Sequence, residues 1–345
     1  MKIILDGFGG DNAPVEIVKG AITSVNLLPG VTVAITGDED KIKQVLSDYG
    51  YAGDKIEIID AKEVISNNES PTVAIRQKKN SSLVVAFDTL NSSDEYVGMI
   101  SAGSTGAVLT GATLKVGRIK GVFRPAVAPV LPNLKNGKTL LIDAGANVDS
   151  KPEYLAQFAI MGSEYMKSMY GIVNPRVGLV SVGTEDHKGN ALTHETFEFL
   201  KNMKNINFVG NMEARDALSG EYDVLVCDGF VGNTLLKSYE GGIDTLNKVL
   251  KEEILKLGLK GKLGYLLLKK AFKNVKRRMN YTTVGGAAFL GVKKLVVKTH
   301  GSSNAETIYS CVKQVYDLEN AKMIDKMKEN LALEESDDKQ NWKNL

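Results

Sequence analysis

Ser101–Gly111 reads SAGSTGAVLTG. It follows the mostly apolar run YVGMI, Tyr96–Ile100, and passes into a second apolar stretch, Ala107–Leu114. This order predicts a buried strand, a tight turn of glycine and hydroxyl residues, and the start of a helix. Gly103 and Gly106 carry no Cβ, so the backbone can approach a ligand closely there. The free N–H groups of the helix start, with Ser101, Ser104 and Thr105, supply donors suited to an anion. A strand-to-helix turn that only packs tightly explains this stretch alone equally well. The rest of the chain has to decide.

Outward from this turn the same pattern recurs. Apolar, β-rich runs at Lys2–Asp6, Val31–Thr36, Ile56–Ile59, Leu83–Phe87, Tyr96–Ile100, Thr139–Asp143, Arg176–Val182, Ile206–Val209, Asp223–Cys227 and Lys293–Lys298 alternate with helical patterns. That alternation predicts an α/β fold with a mostly parallel sheet and helices on both faces. Several runs end in Gly, Asp or Ser, which places polar loops at the carboxyl edge of the sheet, where open α/β folds bind ligands. DGFGGDNAP sets Asp6 and Asp11 around Gly9 and Gly10, with Pro14 opening a helix. IDAGAN turns through Gly145 and Asn147. GTEDHKGN carries Glu185, His187, Lys188 and Asn190; CDGFVGN carries Asp228 and Asn233; THGSSN carries His300 and Asn304. Repeated loops of this kind describe a polar, ligand-binding rim.

Composition narrows the classes. The chain of 345 residues is 43% apolar and 24% charged, ordinary for a soluble globular protein. No apolar run approaches a membrane span, and the start MKIILDGFGGD reads as a strand rather than a signal peptide. Cys227 and Cys311 form neither a disulfide framework nor a metal pattern, and a reducing cytosol fits them. Cys227 ends the apolar run DVLVC and reads as a buried structural thiol. Gly189 separates His187 from His194, so the two do not share a helix face. Dinucleotide, Walker and nucleophile-elbow signatures do not occur. Net charge is +2, yet residues 248–278 hold 11 Lys/Arg and 2 acids, a local +9 that leaves −7 on the remainder. Within them Leu263, Leu266 and Leu267 lie among Lys269, Lys273, Arg277 and Arg278. Gly258, Gly261 and Gly264 break the helical pattern there, so residues 245–283 predict a basic, apolar helical hairpin. A hairpin that buries its leucines and shows a solvated basic face is the commoner source of such a pattern, whereas leucines clustered at the tip suit shallow insertion into an anionic membrane surface.

The blocks DGFGGD, SAGSTGA, RPA (Arg124–Ala126), DAGAN, KPEYLAQFAIMG, GTEDHKGN, CDGFVGN and HGSS, in this order over about residues 1–325, resemble the bacterial acyl-acyl carrier protein:phosphate acyltransferases, the PlsX family. Gly7-Phe8 stands where that family has Ala-Met, and Ser104 where it has Asn. The resemblance implies an α/β/α sandwich related to the isocitrate/isopropylmalate dehydrogenases and phosphotransacetylases. It implies one catalytic domain over residues 1–330; the polar run EESDDKQNWKN by itself marks residues 331–345 as a tail. The implied reaction moves a long-chain acyl group from acyl carrier protein to inorganic phosphate, with no metal or nucleotide cofactor. The implied setting is a cytoplasmic homodimer, peripherally membrane-associated, supplying acyl phosphate to a glycerol-3-phosphate acyltransferase. Nucleic acid is not an expected partner.

Read with the resemblance, Lys188 is the candidate cation for phosphate or a developing oxyanion, and Asp228 the candidate proton acceptor. The phosphate cradle is expected from Asp6, Gly9, Gly10, Asp11, Ser101, Gly103, Ser104, Thr105, Gly106, Asn147, Asn233 and His300. The helix after Pro152, with Leu155, Phe158, Met161, Met166 and small Gly162 and Ser163, fits either a core helix or a dimer contact. Three alternatives remain open on the residues alone: a phosphotransacetylase-like enzyme using acyl-CoA, a dehydrogenase of the related fold, and a membrane-associated scaffold for an acidic partner.

Overall fold

Several apolar runs that end in glycine, serine or an acid become strands, among them Lys2–Asp6, Thr32–Gly37 and Tyr96–Ser101. The computed structural model describes residues 1–279 and 285–337. In chain order the elements are β1 (Lys2–Asp6), α1 (Val15–Leu27), β2 (Thr32–Gly37), α2 (Glu39–Asp48), β3 (Ile56–Asp60), α3 (Pro71–Gln77), α4 (Ser82–Ser92), β4 (Tyr96–Ser101) and α5 (Thr105–Gly111), which continues as a π-helical turn, Ala112–Val116. Next come β5 (Ala126–Ala128), β6 (Val130–Pro132), β7 (Lys138–Ile142), α6 (Pro152–Tyr170), β8 (Arg176–Ser181), α7 (Ala191–Asn202), β9 (Asn207–Glu213) and β10 (Val224–Val226). The long helices α8 (Gly229–Lys256) and α9 (Gly258–Met279) precede β11 (Ala287–Leu290), β12 (Leu295–Lys298), α10 (Ala305–Asn320) and α11 (Met323–Asp337).

The strands form two sheets, ordered β3-β2-β1-β4-β12-β11-β5 and β6-β7-β10-β8-β9. Most pairs are parallel; β11 with β12 and with β5, and β6 with β7, run antiparallel. β5 and β6 are one extended segment interrupted at Pro129, which carries the chain from the first sheet to the second. Backbone bonds sew this crossing to the β7 segment: Ala144 N–H donates to the Val127 carbonyl at 2.9 Å and Leu141 N–H to Pro129 at 3.0 Å.

Alternation along each strand divides the core into two layers. Ile3 and Leu5 pack with Val18 of α1 and Ile308 of α10, in a layer that also holds Ile142, Val177 and the buried face of α6. Ile4 packs with Val84 and Phe87 of α4, in a layer that also holds Leu141, Leu225 and Met212. Each layer runs across both sheets, so helices cover both faces and the architecture is an α/β/α sandwich.

Several expectations change. Leu83–Phe87 is not a strand but lies in α4. Ser81 caps that helix, its hydroxyl accepting from Val84 N–H, and LVVAF is short enough to fill either element. Strands β5, β6 and β11 have no strong signal in the chain, being only three or four residues long, with Ala and Pro among them. Helix α6 is a core helix: a Cβ on Gly162 would lie 2.7 Å from Val224, so its small residues admit a sheet rather than a second subunit. The hairpin exists, with Tyr239 of α8 donating to the Met279 carbonyl of α9 at 3.0 Å. Its break is at Gly258 alone, at φ +58, while Gly261 and Gly264 lie within α9. Gly261 nonetheless has a packing reason, because a Cβ there would meet the Ile254 carbonyl of α8. At the C-terminus α11 continues through Asp337, because Met323, Met327 and Leu331 form a stripe buried on the core. Residues 280–284 of the expected hairpin and 338–345 of the expected tail lie outside the described residues, as does the side chain of Arg277.

Candidate functional site

The carboxyl ends of β1, β4 and β12 are neighbours in the sheet, and their loops are tied together. Ser101 at the end of β4 donates its hydroxyl to Asp6 Oδ2 at 2.7 Å, and Gly103 N–H donates back to Ser101 Oγ at 3.0 Å. Asp11 N–H donates to the Gly301 carbonyl at 2.7 Å, and Thr299 N–H to Ser101 at 3.0 Å. A Cβ on Gly9 would stand 2.5 Å from Asp6 Oδ2 and 2.7 Å from Gly103 N, so glycine is required where the loops cross. Asp6 is buried, which pushes its carboxyl above the usual range, and its Oδ1 has no hydrogen bond among the described residues. Phe8, at the family's Met position, lies against Gly37, whose missing side chain leaves room for the ring.

The second sheet brings its own loops to the same junction. Asp143, at the end of β7, is fully buried. Its Oδ1 accepts from the N–H groups of Val127, Gly145 and Ala146, and its Oδ2 from the backbone and side-chain N–H of Asn147. Burial raises this carboxyl, and the amide donors of Ala146, Val127 and Asn147 oppose the rise. Asn147 also donates to the Pro125 carbonyl at 2.9 Å and accepts from Gly229 N–H at 2.7 Å. Its side-chain N–H groups are therefore spent on Pro125 and Asp143, and its backbone carbonyl holds the loop to the start of α8.

Between the sheets lies a cleft of about 150 Å³. Its polar lining comes from Thr105 after β4, from Lys298, Thr299 and His300 at the end of β12, and from Asn233, Lys237 and Glu240 on α8. Three expected residues, Thr105, Asn233 and His300, thus meet in one place. Ser302 N–H donates to His300 Nδ1 at 3.2 Å, so Nδ1 is an acceptor. Ser104 is the N-cap of α5 but makes no side-chain capping bond, and Gly106 packs on Pro71.

Lys188 and Asp228 are not among the residues lining this cleft. They follow β8 and β10, neighbouring strands of the second sheet. Lys188 is exposed; its carbonyl accepts from the Ser181 hydroxyl at 3.0 Å. Asp228 caps α8, with Oδ1 accepting from Val231 N–H at 2.9 Å. Asn190 is likewise a cap, in a reciprocal capping box with Thr193. Cys227 is buried, and burial pushes its thiol well above the usual range.

Lys298, Lys237, Thr299 and Glu240 are site residues that sequence reasoning did not select. Lys237 pairs with Glu240 at 2.7 Å. Burial lowers the Lys298 ammonium to about 8. The available signal was a lysine closing the apolar run LVV immediately before THGSS, at the carboxyl end of a buried strand.

This geometry can be set beside known proteins. Residues 1–326 match the family described as fatty acid synthesis protein. The chain belongs to that family. A phosphate acyltransferase from Clostridium perfringens is 48% identical over 341 residues, covering 99% of this chain and all of the relative. One from Clostridium acetobutylicum is 47% identical over 331 residues, covering 96% of this chain and 99% of the relative. Among solved structures, a phosphotransacetylase from Streptococcus pyogenes superposes with a TM-score of 0.60 at 17% identity, covering 92% of this chain and 94% of the other. A phosphotransacetylase from Staphylococcus aureus gives 0.59 at 16%, with the same coverage. At such identities the structural likeness bears on the fold, and it agrees with the sandwich described above.

Proposed function

We propose that this protein transfers a long-chain acyl group from acyl carrier protein to inorganic phosphate, releasing acyl phosphate and the carrier thiol. The observation that carries the reading is near-half identity, over essentially the full chain, to phosphate acyltransferases. The cleft suits the chemistry: it is small, and its largely apolar wall is interrupted by the hydroxyls of Thr105 and Thr299 and the cations Lys237 and Lys298, groups that can hold a phosphate nucleophile. A phosphate oxygen attacks the thioester carbonyl, the carbonyl oxygen gains charge, and the C–S bond breaks as the intermediate collapses. The sulfur leaves as thiolate and takes up a proton.

In this reading Lys188 and Asp228 act from loops beside the cleft rather than from its lining: Lys188 stabilises developing negative charge, and Asp228, whose Oδ2 makes no hydrogen bond among the described residues, accepts a proton from phosphate. Asp6, Gly9, Gly10, Asp11, Ser101, Gly103 and Thr105 form the rigid edge of the phosphate site. Helix α9 presents Leu263, Leu266 and Leu267 with Lys269 and Lys273, all exposed, to an anionic membrane surface and to the acidic carrier. No helix among the described residues is long and apolar enough to cross a membrane. Release at a bilayer would hand acyl phosphate to a glycerol-3-phosphate acyltransferase. A twofold homodimer is part of the proposal, resting on kinship alone; light scattering at micromolar concentration tests it, and a monomer would refute it.

The decisive experiment mixes the protein with long-chain acyl-acyl carrier protein and phosphate and traps acyl phosphate with hydroxylamine. Phosphate-dependent hydroxamate is expected. The fold likeness to phosphotransacetylases favours a second reading, acyl-CoA as donor, and turnover of short acyl-CoA with none of the carrier thioester would establish it instead.

A further inference from the structure

We infer that Lys298 binds the phosphate nucleophile directly, as the cation on the floor of the cleft. The inference rests on the phosphate acyltransferase reading and adds a residue to it. Lys298 is fixed from both sides, since it closes β12 in register with Ser101 of β4 and Ala287 of β11. Its ammonium donates to the carbonyls of Ala102, at 3.5 Å, and Thr299. An ammonium has three N–H donors, so one remains without a protein acceptor on a residue that lines the cleft. Thr105, Asn233 and His300 line the same space and offer a hydroxyl, an amide and an imidazole to further phosphate oxygens.

Electrostatics point the same way. Among the described residues no carboxylate forms an ion pair with Lys298. Asp6 and Asp11 of the β1 loop act on it at longer range, as does Cys311 of α10, while Lys237 of α8 repels it. Glu240, the acid among the lining residues, is held by Lys237 at 2.7 Å. His300 is the remaining titratable group of the lining. A mostly buried cation without a paired anion is costly, and a phosphate dianion would relieve that cost. The contrast with Lys188 is sharp: that lysine is exposed and outside the cleft.

The sign of the pH dependence follows from burial. With its ammonium lowered to about 8, Lys298 is charged below that pH and neutral above it. Phosphate binding should therefore weaken as pH climbs past 8. A guanidinium stays charged throughout, so Lys298→Arg should lack this weakening.

The test measures hydroxamate formation with phosphate varied from pH 7 to 9, for wild type, Lys298→Met and Lys298→Arg, alongside calorimetry with inorganic phosphate alone. Lys298→Met should raise the phosphate KM about tenfold to a hundredfold, the loss expected for a charge-assisted hydrogen bond. The KM for the acyl carrier thioester should change less than about threefold by the same argument, since that bond is absent there. The wild-type phosphate KM should rise above pH 8, and that of Lys298→Arg should stay flat. An unchanged phosphate KM in folded Lys298→Met overturns the inference, as does a wild-type profile matching that of the Arg variant. If Lys298→Met does not fold, the Arg profile decides. If wild type makes no acyl phosphate, the functional reading fails and calorimetry decides separately: phosphate binding lost in Lys298→Met supports the site, and no binding by wild type overturns it.

Discussion

Asp143 and Leu267 mark two regions built on opposite terms. Asp143 is fully buried and its two oxygens accept five hydrogen bonds from a loop that folds back upon it. Leu267, on α9, is 76% exposed, and Leu263 is 61% exposed. At the cleft every loop is tied to another strand's loop, so geometry is set by bonds that reach across the sheets. The hairpin draws its order mainly from its own two helices, with Arg278 donating to the Leu134 carbonyl at its base, and Leu263 and Leu267 are left mostly exposed. The difference separates two kinds of work. Chemistry needs groups held to fractions of an ångström, whereas an apolar patch that meets a surface needs only to be available.

The largest expected effect comes from breaking the rigid side. Asp143→Ala would strand the N–H groups of Val127, Gly145, Ala146 and Asn147, each costing about 1–3 kcal/mol when buried and unpaired. We expect a loss of at least about 3 kcal/mol on that basis, with the protein poorly folded, measured by urea unfolding monitored by circular dichroism. Stability within 1 kcal/mol of wild type, roughly the scale of an ordinary surface change, would mean that the loop's hydrogen bonds to Asp143 contribute little to the fold.

Next come the two residues chosen for chemistry. Lys188→Ala should lower hydroxylamine-trapped product at least about a hundredfold with the fold intact. Asp228 needs a different substitution, because it caps α8 and alanine would also cost about 1 kcal/mol of helix stability. Asp228→Ser keeps a capping oxygen and removes the carboxylate. About a hundredfold loss of turnover at unchanged stability is expected, and near-normal turnover would leave Asp228 as a cap and nothing more.

These residues also show how far the chain could be read unaided. Central parallel strands are continuous apolar runs with polar ends, so β1, β4, β7, β8 and β10 stand out, and their loops mark the binding rim. LVVAF has no period to distinguish strand from helix, and α4 resulted. The crossing strands β5 and β6 span three residues each around Pro129, which argues against a strand when read locally. Thr105, Asn233 and His300 were legible as polar loop residues. Lys298 was not, because its burial arises only when β12 inserts between β4 and β11, a pairing that joins residues about two hundred positions apart. Asn147 was legible as a binding residue, yet its amide is consumed inside the protein by Pro125 and Asp143.

On the hairpin side the effects should be smaller and of another kind. Leu263→Glu with Leu267→Glu replaces two exposed side chains, so stability should move by no more than about 0.5 kcal/mol. Sedimentation with anionic liposomes should fall by roughly tenfold or more, from lost apolar insertion and added repulsion, while turnover of soluble substrate stays near wild type. Equal sedimentation of variant and parent would refute the membrane role. Salt-independent binding of the parent would refute its electrostatic part.

The smallest effect tests whether α8 itself joins the two regions. One face of this helix contributes Asn233, Lys237 and Glu240 to the cleft, and its far end carries the hairpin. Between them stand Gly241 and Gly242, both helical, where an added Cβ would meet nothing within 4 Å. Neither packing nor a left-handed backbone requires glycine there, although each glycine costs a helix interior about 0.5–1 kcal/mol relative to alanine. The pair therefore loosens α8 where the cleft ends and the hairpin begins. Gly241→Ala and Gly242→Ala should each slow amide hydrogen exchange across the adjoining turns about twofold to fivefold, the rate equivalent of that energy. Exchange in the β1 and β4 loops should not change. If exchange around residue 241 is already as slow as in α6, or is unaffected by alanine, the helix is uniformly stiff and the two regions are mechanically one.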